Sequence, residues 1–132
     1  MRFQSALAAF AVTLALATPA RAEDCPAKST QMDDIIVALN AAKSCDAAMK
    51  AFEACAYGAS GDVQLGEAVE KKCEGDFLAK LQAKQKAAYQ REIGVCDRKY
   101  RNQSGTMYIS FTAFCRANVA QRYARQALKA AR

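Results

Sequence analysis

The chain contains no histidine, no tryptophan and only two prolines in 132 residues. Without an imidazole, Ser-His-Asp and Cys-His nucleophile systems and every histidine-containing zinc site are excluded. C-x-x-C is also absent, since the closest cysteines, Cys45 and Cys55, are ten positions apart. That spacing suits neither a zinc site built from close thiolate pairs nor a thioredoxin-like redox couple. Ser60, Ser104 and Ser110 lack a G-x-S-x-G elbow as well as a histidine. The apolar run Ala6 to Ala17 has 12 residues, against the roughly 20 of a transmembrane helix. After Pro26 no proline removes a backbone donor from a helix interior.

What stands at the start reads as a targeting signal. Arg2 precedes the apolar run, and Ala20-Arg21-Ala22 supplies a small-x-small cleavage pattern. Residues 1–22 are expected to be a signal peptide, with one mature domain over residues 23–132. Cys25 follows Glu23 and Asp24 instead of a small-residue lipobox. The expected product is periplasmic or secreted, with no transmembrane segment in the mature chain.

Six cysteines, Cys25, Cys45, Cys55, Cys73, Cys96 and Cys115, follow the expected cleavage point. An even number in an oxidising compartment predicts three disulfides, each contributing about 2 to 4 kcal/mol. Antiparallel helices joined by a turn at Asn102 to Gly105 bring Cys96 level with Cys115, within about 4.5 Å of helix rise. For the other four, neighbour pairing (Cys25 with Cys45, Cys55 with Cys73) competes with a ladder (Cys25 with Cys55, Cys45 with Cys73). The ladder matches helix levels better, and both stay open.

Alanine fills 22 of the positions from 23 to 132. With no proline to interrupt it, this composition predicts an all-α fold, a small disulfide-stapled bundle of about four to five helices. The first helix is expected from Met32 to near Ser44, with Thr30 and Asp33 as a capping pair and Met32, Ile35, Ile36 and Leu39 facing inward. The second runs from Cys45 to Tyr57 with Met49, Phe52 and Cys55 inward, until Gly58-Ala59-Ser60-Gly61 breaks it. Asp62 then caps a third helix, in which Leu65, Val69, Cys73, Phe77 and Leu81 form a buried row, with a bend near Leu81. A fourth carries Ala88, Tyr89, Ile93, Cys96 and Tyr100 and stops before Gly105, which can end it in the left-handed conformation. The last opens at Thr106, with Met107, Phe111, Cys115, Val119 and Tyr123 as its row. Gly66, Gly75 and Gly94 within these helices mark close packing, a bend or tolerated weak points.

Charge is unevenly distributed. Residues 23–82 carry eleven acidic and six basic side chains, whereas residues 83–132 carry eleven basic ones against only Glu92 and Asp97. In an exported protein this asymmetry points to an anionic envelope polymer, lipid or polysaccharide, as a partner of the basic half. Lys84, Lys86, Arg91, Arg98, Lys99, Arg101, Arg116, Arg122 and Arg125 would form that surface. The competing expectation is that the two halves neutralise each other. No zinc-finger, RRM-like or KH-like motif accompanies the basic residues, so nucleic acid is not expected as a partner.

Leu81, Gln82, Gln85 and Tyr89, then Arg91 and Cys96, the turn at Ser104 and Gly105, and Cys115 followed by Ala120 and Arg122 form a pattern. It resembles the C-terminal half of the LprI-like family, small exported helical proteins with cysteines, described as lysozyme-inhibitor-like. Tyr89 stands where such proteins often have tryptophan. The resemblance implies a cell-envelope binding protein that acts by occluding a lysozyme-type enzyme.

Lysozyme surfaces are generally basic, so an inhibitor needs a rigid insertion and an acidic surround. The Gly58 to Asp62 loop, with Ser60 as a hydrogen-bonding tip, is the expected insertion, and Glu67, Glu70 and Glu74 are the expected surround. These glutamates share one helical face by i, i+3 and i+7 spacing, and paired carboxylates also serve glycoside hydrolysis. Lys71, four residues after Glu67, favours a salt-bridged face instead. The expectation is therefore a binding protein and not an enzyme, with no catalytic, metal or cofactor-binding residue.

Overall fold

An alanine-rich chain without proline after Pro26 gains little from strands, and every regular element among the described residues is helical. The computed structural model describes residues 24–132, and the expected signal peptide at residues 1–22 lies outside the described residues. The elements are α1 (Met32–Ala41), α2 (Cys45–Cys55), α3 (Asp62–Phe77), a 3-10 turn (Leu78–Lys80), α4 (Ala83–Lys99) and α5 (Thr106–Ala130). Among the described residues no helix is long and apolar enough to cross a membrane.

Several helix ends differ from expectation, each for a local reason. Thr30 and Asp33 make no capping pair; Gln31 is the N-cap residue of α1, and Ser29 Oγ accepts its backbone N–H at 3.1 Å while donating to Asp34. α1 stops at Ala41, short of Ser44, because Ser44 serves the next helix and accepts the Ala47 N–H at 3.0 Å. α4 ends at Lys99, and Gly105, at φ +110°, opens α5 instead of closing α4.

The cysteines pair as a ladder, Cys25–Cys55, Cys45–Cys73 and Cys96–Cys115, with Cα separations of 4.8, 4.6 and 5.6 Å. The first two fasten the N-terminal segment and α2 to their neighbours, and the third joins α4 to α5. The core is built from Ile35 and Leu39 of α1, Met49 and Phe52 of α2, and Leu65, Val69 and Phe77 of α3, all buried. Leu81 belongs to the expected α3 row but lies beyond the helix end and is only half-buried.

The start of the row expected to be buried on α5 is the largest correction to the fold. Met107 and Phe111 are 48% and 41% exposed, whereas Val119 of the same row is buried as expected and Cys115 and Tyr123 pack partly buried against the core; the face turned most fully inward is Ser110, Ala113, Ala117, Ala120 and Ala124. The reason is backbone proximity between α3 and α5, the most extensive helix contact in the molecule. A Cβ placed on Gly66 would lie 3.0 Å from the Ala113 Cβ and 3.2 Å from its carbonyl oxygen. Large side chains do not fit between helices that close, so alanine fills the contact and Met107 and Phe111 turn aside. Gly75, by contrast, faces open space, and Gly94 lies under the Arg98 side chain. Farther along α5, Tyr123 meets Phe77 at 5.5 Å and Tyr89 at 5.1 Å between ring centroids, and this cluster seals α3, α4 and α5 together.

Candidate binding surfaces

The loop between α2 and α3 is braced from several sides. Gly61, not Asp62, is the N-cap residue of α3, and the Asp62 carboxylate turns back into the protein. It accepts the backbone N–H of Tyr57 at 2.7 Å and of Gly58 at 2.9 Å, and the Ser110 hydroxyl at 2.6 Å. With no exposed surface, Asp62 cannot touch a partner. Its expected place on a binding surface is corrected to that of an internal anchor between the loop and α5. The Tyr57 ring covers Gly61, and its hydroxyl donates to the Thr30 carbonyl at 2.7 Å. Ser60 remains exposed at the loop tip.

The three glutamates behave unlike one another. Glu67 is exposed, and among the described residues it forms no ion pair with Lys71. Glu70 is mostly covered and receives two bonds from Arg116, both at 3.0 Å, while the same guanidinium bonds Asp97 of α4 at 2.9 Å. Burial pushes the Glu70 carboxyl above its ordinary value, outweighing the opposing pull of Arg116. Burial alone would lower the Arg116 pKa, but its bonds to Asp97 and Glu70 together hold it above its usual value. The two directions are compatible, because Arg116 has two carboxylate partners and Glu70 has a shared one. Glu74 accepts the Tyr89 hydroxyl at 2.8 Å, and burial first, then Glu74, keeps that phenol protonated well beyond its ordinary range. The acidic face is thus largely engaged with α4 and α5. A cleft of about 460 Å³ runs beside it, bordered by Glu67, Tyr100, Arg101 and Tyr108.

The basic half presents a different surface. Its two carboxylates both face α5: Asp97 takes Arg116, and Glu92 takes Arg122 and, at 2.8 Å, the Tyr123 hydroxyl. Between the acidic and basic halves the ion pairs are Arg116–Glu70 and Arg125–Asp46. Lys84, Lys86, Arg91, Arg98, Lys99 and Arg101 are exposed and have no carboxylate partner among the described residues. Lys84, Arg91 and Arg98 recur at seven-residue intervals, forming one stripe about 21 Å long opposite the buried Tyr89, Ile93 and Cys96. The spacing of this stripe was legible in the sequence. The direction taken by Glu92 and Asp97 was not, since either could have neutralised it.

Comparison with protein-family models, curated proteins and solved structures finds no match to the chain. Among the described residues no group of three or more candidate ligand side chains is placed to hold a metal ion.

Proposed function

We propose that this is an exported cell-envelope protein whose basic C-terminal hairpin binds phosphate-bearing envelope polymers or lipid headgroups. The observation that carries the proposal is the outer face of α4, where Lys84, Arg91 and Arg98 are aligned while Glu92 and Asp97 are held against α5. Cations left without internal partners keep their field for an external polyanion. Three disulfides support an oxidising compartment.

The test is retention of the oxidised protein, residues 23–132, on immobilised lipopolysaccharide and on polyphosphate across a salt series. Retention is expected at low salt and falls steeply through about 0.15 M, where the screening length is about 8 Å. The triple reversal Lys84→Glu, Arg91→Glu and Arg98→Glu abolishes it. Indifference to the reversal or to salt overturns the proposal.

A second reading, inhibition of a lysozyme-type enzyme, draws on the bracing of the Gly58 to Gly61 loop, because a rigid loop loses little entropy on insertion into a cleft. The engagement of Glu70 by Arg116 and of Glu74 by Tyr89 weakens the acidic surround this reading needs. Muramidase assays with Ser60→Lys and Glu67→Lys discriminate: inhibition lost on both changes supports the loop surface, and inhibition unchanged by them excludes it.

A further inference from the structure

Among the described residues seven large apolar side chains are exposed, and four of them, Tyr57, Met107, Ile109 and Phe111, belong to one end of the bundle. The Asp62 carboxylate fixes this arrangement, since it bonds the backbone of Tyr57 and Gly58 on one side and Ser110 of α5 on the other. The first turns of α5 therefore stand beside the loop. Tyr100, Tyr108 and Phe111 form an aromatic group there, with ring centroids 5.7 to 6.0 Å apart. Neither the Tyr100 nor the Tyr108 hydroxyl has a hydrogen-bond partner among the described residues, unlike those of Tyr57, Tyr89 and Tyr123.

Exposed cations form a collar at the same end. Arg98, Lys99 and Arg101 lie at the end of α4 and in the turn, with the Lys99 ammonium 5.1 Å from the Tyr100 ring centroid. No aspartate or glutamate follows Asp97 anywhere in the sequence. Apolar side chains on the first turns of α5, tyrosine hydroxyls without partners and a rim in which Arg98, Lys99 and Arg101 outnumber the exposed carboxylates Glu67 and Asp97, the latter already bonded to Arg116, match the layers of an anionic bilayer surface: acyl boundary, interface and headgroup phosphate.

We infer that the α4–α5 turn is a membrane-docking tip, which seats end-on in an anionic phospholipid bilayer with Met107, Ile109 and Phe111 at the acyl boundary. The inference rests on the anion-binding proposal and adds insertion to it. The absence of tryptophan makes a direct test available. Met107→Trp places a single indole at the tip, and Leu128→Trp places one at an exposed position near the far end of α5. Each is mixed with vesicles of phosphatidylglycerol and phosphatidylcholine, with bromine on the lipid chains as quencher.

The tip indole is expected to shift to the blue and be quenched on anionic vesicles, and the Leu128→Trp indole to do neither. Combined Met107→Ser, Ile109→Ser and Phe111→Ser lowers vesicle affinity about 100-fold, with retention on polyphosphate unchanged. Binding to polyphosphate and vesicles without a shift or quenching at the tip overturns insertion and leaves the anion-binding proposal standing. Absence of binding to vesicles and polyphosphate alike overturns both.

Discussion

The first three helices and the last two cover one core with different material. α1 to α3 contribute most of its large apolar side chains, two of the three disulfides and a buried carboxylate. α5 contributes an alanine face, while α4 buries Tyr89, Ile93 and Cys96 and turns its charges outward. The difference separates a scaffold, whose side chains are consumed in packing, from a hairpin whose large and charged side chains remain available. Backbone proximity at Gly66 makes this possible, because alanine suffices to fill the contact and the bulk of α5 is released to other faces.

Asp62→Ala should break the comparison most severely. It strips an acceptor from Tyr57, Gly58 and Ser110 at once, and groups left unsatisfied in a covered site cost about 3 to 5 kcal/mol together. Urea unfolding measures it, and a loss below about 1 kcal/mol would mean that the loop and α5 are held together by something else.

Removing disulfides sharpens the contrast. The chain-entropy model gives about 3 to 4 kcal/mol for either Cys45–Cys73 or Cys96–Cys115, which close loops of similar length, 28 and 19 residues apart. The location of the damage should differ. Amide exchange after Cys96→Ala with Cys115→Ala is expected to quicken in α4 and leave α1 to α3 protected, whereas Cys45→Ala with Cys73→Ala loosens the scaffold throughout.

Gly66→Ala is a smaller perturbation, with two opposing terms. The added methyl presses on Ala113, including its backbone, at a cost of about 1 to 3 kcal/mol, and better helix propensity returns up to about 1 kcal/mol. Net destabilisation by thermal unfolding is expected, while Gly75→Ala, facing open space, should be neutral or stabilising.

The smallest effect is a slope with pH. Folding raises the Glu70 carboxyl above its ordinary 4.5 through burial, so the folded chain binds that proton more tightly than the unfolded one. Its contribution to stability is therefore greatest below pH 4.5 and declines as pH rises from there through the raised folded value. Glu70→Gln removes this slope and leaves Arg116 bonded to Asp97. Its stability relative to the parent chain should improve as pH rises across that window, a trend that thermal melts in a buffer series will reveal.

The helices and the level of each cysteine follow from short-range rules, and for that reason they were legible in the sequence. Helical periodicity placed Leu65, Val69, Cys73 and Phe77 on one buried face, and helix rise favoured both the Cys96–Cys115 bridge and the ladder. The start of the α5 face, the fate of Asp62 and the separate surroundings of Glu67, Glu70 and Glu74 were decided by the tertiary structure. Periodicity identifies a row of apolar residues but not the distance at which the neighbouring helix will lie. Composition counts charges without saying where they point. Once Gly66 lets α3 and α5 approach closely, small residues occupy the contact, Ser110 meets Asp62 and Arg116 meets Glu70, and the large side chains at the start of α5 are left facing solvent.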